Sequence, residues 1–141
     1  MGISVQINSK IDQKRKKLDK LFTQNAIRHV NRVAVYFQNE IKRGMQKTPK
    51  TGNIYPRGKK KHIASSEGNP PAIDTGRLVS SILVSNATGM GDRPVAKVKT
   101  NVEYAYTLDK GKLNRPFMSD RSTAYQKARL FSQKIMKNIF R

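Results

Sequence analysis

The chain has 141 residues, 36% of them hydrophobic, and a mean hydropathy of −0.69. That is enough for one domain, residues 1–141, with a lean core, and no run of eighteen apolar residues offers a membrane span. It carries 29 Lys and Arg against nine Asp and Glu, a net charge of +20, and no cysteine, which excludes disulfides and thiol chemistry. No apolar signal core opens the sequence, so export by that route is not expected and cytoplasmic synthesis is the simplest reading.

Taken in chain order, residues 1–9 form a polar lead in which Ile3, Val5 and Ile7 alternate as a short strand would. Ser9 can cap a long helix from Lys10 to about Gln46. Its apolar positions, from Ile11, Leu18, Leu21 and Phe22 through Val30, Val33, Ala34, Phe37 and Ile41 to Met45, recur at threes, fours and sevens and make one stripe. At about 1.5 Å per residue such a helix is roughly 50 Å long. Its first turns are mostly charged and are expected to fray or project; Gly44 and Thr48-Pro49 close it.

Residues 48–73 read as a long basic loop rich in Pro, Gly, Lys and Ser, of the kind that is functional or disordered. Within it, Ile54-Tyr55 and His62-Ile63-Ala64 flank Pro56-Arg57-Gly58-Lys59 as a small hairpin would. The loop is expected to order on assembly. Pro70 and Pro71 then fix an extended approach to a short turn that Asp74 or Thr75 can cap. Gly76 keeps that turn free of bulk, and Leu78 and Ile82, four apart, face a core.

Ile82 and Val84 alternate with Leu83 and Ser85, and after a turn at Gly89–Asp92, Val95, Lys97 and Lys99 alternate with Ala96, Val98 and Thr100. That is an antiparallel hairpin with one buried face. Residues 103–109 are a short helical or extended link ending at Gly111. Arg115-Pro116-Phe117-Met118 is an extended approach to a last helix, capped by Ser119 or Asp120, with Ala124, Ala128, Phe131, Ile135 and Ile139 on one face. The fold class is α+β: a long N-terminal helix and a C-terminal helix packed on a small antiparallel sheet, with a long basic loop.

The charge is unevenly placed. Residues 10–20 contribute +4, residues 42–62 contribute +8 with no acid, residues 110–141 contribute +8, and the remainder cancels. Polyanionic partners follow, either DNA or acidic protein surfaces. Catalytic chemistry does not. His29, expected on the helix surface, and His62 are far apart, and Asp, Glu and His do not cluster at metal-ligand spacings. Gly89-Met90-Gly91 lacks the Lys-Ser/Thr of a phosphate loop. The aromatic residues fall mostly at core spacings and not between the basic clusters. The reading is therefore no enzyme, no cofactor and no metal.

Four segments together resemble a family of small tail-completion and head–tail joining proteins of tailed bacteriophages. They are Thr48-Pro49-Lys50-Thr51-Gly52 followed by Tyr55 to His62; Ser66 to Ile82; Tyr104-Ala105-Tyr106-Thr107-Leu108-Asp109-Lys110-Gly111; and Arg115-Pro116-Phe117-Met118. They occur in the family's order from about Thr48 onward. Lys110 departs from the aromatic residue that the family often carries before that glycine.

The resemblance implies a structural virion protein of the neck or tail, synthesised in the bacterial host cytoplasm. It implies a homo-oligomeric ring, a hexamer with twelve copies as the alternative. Its neighbours would be portal, adaptor or stopper proteins on one side and tail tube or terminator proteins on the other, with non-specific contact to packaged DNA and none to membrane. Tyr55, Arg57, Lys59, Lys60, Lys61, His62 and Arg77, together with the basic start of the first helix, are the candidate contact residues. Pro70, Pro71, Asp74, Thr75, Gly76, Leu78, Ile82, Tyr104, Gly111, Arg115, Pro116 and Phe117 are the candidate shaping residues, with Arg115 and Phe117 pinning the last helix on the sheet. The rival reading is a stand-alone basic nucleic-acid-binding protein, although no segment matches a module that reads DNA or RNA.

Overall fold

The structure, a computed structural model, describes residues 2–88 and 93–139, with side chains from Lys10 to Asn138 within those ranges. The order is α1 (Gly2–Lys47), β1 (Ile54–Arg57), β2 (Lys60–Ile63), α2 (Arg77–Ser80), β3 (Leu83–Ser85), β4 (Lys97–Lys99), α3 (Ala105–Asp109) and α4 (Thr123–Ile139). The class is α+β as expected, but the strands form two separate antiparallel pairs, β1–β2 and β3–β4, not one sheet. The turn expected at Gly89–Asp92 and the side chain of Ile139 lie outside the described residues.

Helix α1 starts earlier than the sequence reading has it. The alternation of Ile3, Val5 and Ile7 does not make a strand; the backbone is helical from Gly2 and runs straight through Ser9. The reason is continuity: from Ile3 to Arg43 there is neither glycine nor proline, so nothing interrupts propagation. At the other end Thr48 Oγ1 donates to the Gly44 carbonyl at 2.7 Å, and Pro49 cannot continue the ladder.

The stripe on α1 has two fates. From about His29 on, it packs against α4. Tyr36 stacks on Phe131 with ring centroids 4.1 Å apart, and Phe37 meets Tyr125 edge-on at 6.1 Å. Lys127 Nζ reaches the buried Glu40 carboxylate at 3.0 Å, and Arg43 binds its other oxygen. A buried carboxylate needs such partners. Before that point every described side chain from Lys10 to Asn25 is exposed, including Ile11 (57%), Leu18 (62%), Leu21 (55%) and Phe22 (67%). The amphipathic pattern therefore outruns the domain that would bury it.

The core sits where the lower half of α1, α2 and the start of α4 meet. Ile41, Met45, Leu78, Ile82, Val102, Ala105, Phe117 and Ala124 form it, flanked by Phe37, Ile73, Val79, Val98, Leu108 and Met118. Two α1 side chains hold the β3 region: Gln38 Nε2 donates to the Ile82 carbonyl and Asn31 Oδ1 accepts the Ala87 N–H, both at 2.7 Å. Leu83 pairs with Lys99, Val84 with Val98 and Ser85 with Lys97, so the two valines share the inward face.

The last helix is set by a residue the sequence reading does not single out. Asp109, 6% exposed at the end of α3, accepts the backbone N–H groups of Phe117 (2.7 Å), Met118 (2.9 Å) and Ser119 (3.2 Å) on one carboxylate oxygen. This bends the chain at 117–119 and seats Phe117 in the core. Neither Ser119 nor Asp120 is the cap. Ser122 is: its Oγ accepts the Tyr125 N–H at 3.1 Å and donates to the Ser119 carbonyl at 2.7 Å. Gly111 is required upstream, since a Cβ there would lie 2.5 Å from the Thr107 carbonyl oxygen.

Three substitutions test this core. Ile82→Ala should lower unfolding free energy by roughly 2–5 kcal/mol, whereas Leu83→Ala, on the exposed face, should change it by less than about 0.5 kcal/mol. Asp109→Ala strands three N–H groups and should cost at least about 2–3 kcal/mol in denaturant titration. A melt of Asp109→Ala equal to wild type would remove Asp109 from this role.

Candidate functional site

The segments that carry the family resemblance converge. Tyr55, Arg57 and His62 from the first hairpin, Pro71 to Val79 from the turn into α2, Tyr104 and Leu108 from around α3, and Leu113 and Arg115 line one open cleft of about 640 Å³. Met45 and Leu78 join its floor to the core.

Each wall has a local cause. The first hairpin turns on two residues, Gly58-Lys59, with Arg57 paired to Lys60 and Ile54 to Ile63, so the strands extend closer to the tip than expected. The Ala64 N–H donates to the Asn53 carbonyl at 3.0 Å, which fixes the alternation of bonded and non-bonded pairs. In that register Pro56 occupies a non-bonded position, where its missing N–H costs nothing. The segment 48–73 is thus not a structureless loop. It is tied further by a hydroxyl contact of 2.8 Å between Thr51 and Ser66, and by the Gly68 N–H donating to the Asn114 carbonyl at 2.8 Å.

The hairpin meets the turn through Asp74. Arg57 pairs with its Oδ2, and His62 Nδ1 stands 3.5 Å from its Oδ1. Asp74 is therefore not a helix cap. Thr75 is not one either: its Oγ1 accepts only the Arg77 N–H, at 3.3 Å and exposed. The cap position is Gly76 at φ 81°, ψ −6°, with no side-chain cap bond. Left-handed backbone, more than absence of bulk, is what glycine supplies there. α2 then ends on Ser81, whose Oγ donates to the Leu78 carbonyl at 2.7 Å and lies 2.6 Å from Thr100 Oγ1, joining the turn to the second hairpin.

The charge of the cleft is unbalanced. Asp74 is already engaged by Arg57 and His62. Among the described residues no carboxylate pairs with Arg77 or with the side chain of Arg115, and Arg115 Nε is buried without an acceptor. Arg115 therefore lines the cleft and does not pin the last helix; its backbone N–H, donating to the Leu108 carbonyl at 2.8 Å, does the structural work, and Phe117 fills the core. Pro71 is buried and Pro70 half-buried, consistent with a shaping role. Lys59, Lys60 and Lys61 are exposed at the hairpin tip, outside the cleft.

Other sequence expectations change. His29 is not a surface residue: it is half-buried between α1 and α4, with Nε2 3.1 Å from Ser132 Oγ and Nδ1 buried without a partner. Tyr55, Tyr104 and Tyr106 are exposed, so the aromatic residues are not confined to the core. Glu40 and Asp109, both buried, escaped the sequence reading; the spacing of Glu40 and Arg43 signals the first, and nothing local signals the second. Among the described residues no group of three or more His, Cys, Asp or Glu stands where it could hold a metal ion, and no helix is long and apolar enough to cross a membrane.

No family model, curated protein or solved structure matches this chain.

Substitutions separate the turn's parts. Gly76→Ala should cost about 1–2 kcal/mol, because an L-residue is forced into left-handed backbone. Thr75→Ala should cost less than about 0.5 kcal/mol, since its bond is exposed and long. Asp74→Ala should release the hairpin and speed tryptic cleavage at Lys59–Lys61; an unchanged cleavage rate would show that the ion pair does not hold it.

Proposed function

We propose that this chain is a structural subunit of a tailed-bacteriophage neck or tail, acting by assembly. It forms a ring, six copies by preference, that completes the tail or joins it to the head connector. One observation carries the reading: four sequence segments that share the order of the family's motifs, spread over some seventy residues, each contribute to the lining of a single cleft. Motifs selected together for one task are expected to meet in space, whereas chance matches are not. The cleft offers an apolar floor and a cationic rim, which suits a protein contact.

The half-helix from Lys10 to Asn25 supports the same reading. A stretch of exposed helix that carries Ile11, Leu18 and Leu21 is stable and soluble in isolation only at a cost, and a neighbour that covers it offsets that cost. A ring of identical subunits needs such a heterologous contact, in which one surface meets a different surface on the next copy. Portal, adaptor or stopper proteins and tail tube or terminator proteins are the flanking partners, and the virion is the site of action.

Native mass spectrometry tests the ring directly: the expected species is a closed oligomer of 16.0-kDa subunits, six by preference. A monomer at every concentration, together with absence from the neck and tail in a particle reconstruction, would contradict it. The exposed tip Lys59–Lys61 favours a secondary, sequence-independent contact with DNA. Affinity for a random duplex should fall by orders of magnitude between ~50 and ~200 mM salt if six or more phosphates are engaged. Replacing the three lysines with Ala should flatten that slope, and tight binding to one sequence at physiological salt would revive the stand-alone nucleic-acid-binding reading.

A further inference from the structure

The cleft and the projecting half of α1 are both exposed, and their chemistry matches. Ile11 and Leu18 are seven residues apart, so they lie within about 20° of each other around the helix and about 10 Å apart along it. Asp12 and Asp19 follow them by one residue each and make a carboxylate row about 100° further round. Arg15 stands between the stripe and the acids, Lys16 and Lys20 lie just beyond the acids, and Lys10, Lys14 and Lys17 project from the other flank or the back. The helix thus presents an apolar stripe bordered on one side by Arg15 and the two acids, despite its basic total.

The cleft presents the complement. Its apolar wall includes Leu108 and Leu113, and its rim carries Arg77 and Arg115, which no carboxylate among the described residues engages. The lining holds Arg57, Arg77 and Arg115 against the single carboxylate of Asp74, so this site is short of anionic groups, not of cationic ones. The chain has few acids to offer. Asp74, Glu40, Asp109 and Glu67 are already bonded within the subunit. Of the other described acids Glu103 and Asp120 stand singly, whereas Asp12 and Asp19 form a pair beside exposed aliphatic side chains.

We infer that the cleft is the docking site for the N-terminal half of α1 from a second copy of this chain. Ile11 and Leu18 enter the apolar floor, and Asp12 and Asp19 face Arg77 and Arg115. This rests on the ring reading and gives it a contact. A cleft of about 640 Å³ takes the side chains of one helix face, as grooves that receive amphipathic helices do. Because helix and cleft are different surfaces, the contact is heterologous and propagates around a ring.

The chain has no cysteine, so introduced pairs report contacts cleanly. One tagged full-length copy carries Leu18→Cys and a second carries Leu113→Cys; both sites are exposed, so folding is not at risk. After mixing and mild oxidation, the covalent heterodimer should form several-fold more than with Leu83→Cys, an exposed site on β3 outside the cleft. Adding Asp12→Lys and Asp19→Lys to the helix copy should reduce the yield to the control level. Arg77→Asp on the cleft copy, again an exposed position, should partly restore it. Equal yields at Leu113 and Leu83, or a yield indifferent to the charge reversal, overturn the proposal. A closed ring seen by native mass spectrometry without the Leu18–Leu113 cross-link overturns this contact and leaves the ring reading standing; loss of both removes both.

Discussion

The geometry of this molecule depends on one buried carboxylate. Asp109 gathers the N–H groups of Phe117, Met118 and Ser119 onto a single oxygen. The chain reverses there, Phe117 drops into the core, and Ser122 is left in position to start α4. The direction of α4 decides that Tyr125, Lys127, Phe131 and Ser132 meet Phe37, Glu40, Tyr36 and His29 along α1. The same reversal sets Arg115 on the cleft wall. An uncharged side chain at position 109 leaves three donors without their acceptor in a buried turn, so the turn and everything downstream of it lose their reference point.

The second constraint is length. α1 is longer than the body that can cover it, and the excess is not a polar tail: it continues the same helical face that buries against α4, with Leu18, His29 and Tyr36 within about 20° of one another around the axis. In the proposed assembly this exposed stripe is what a partner covers. The cleft, apolar below and cationic at the rim, is a matching surface on the same chain. In the proposed assembly the two surfaces complete one another.

The sequence disclosed the parts whose signals are local. The stop at Thr48-Pro49, the hairpin around Gly58, the inward pair Val84 and Val98, and the apolar face of α4 are all written in periodicity and turn chemistry. What it concealed are decisions between equally good local options. Asp74 and Thr75 carry oxygens suited to capping, but Asp74 is drawn to Arg57 and His62 across the cleft, and Gly76 takes the position by its left-handed backbone. Ser119, Asp120 and Ser122 all have capping side chains, and only the Asp109 turn selects Ser122. Ile3, Val5 and Ile7 alternate like a strand, yet an uninterrupted helix-forming run overrides three residues. His29 reads as surface because its partner is Ser132, 103 residues away. The cleft was legible only as a set of motifs whose meeting point no single segment reveals.

Hydrogen–deuterium exchange of the full-length protein across a range of concentrations tests the central claim, that assembly covers both the projecting half-helix and the cleft. Amides of residues 10–25 and of residues 74–79 and 113–115 are expected to gain protection together as the protein associates, while α4 is unchanged. Association that leaves residues 10–25 exchanging as in the dilute subunit would contradict it.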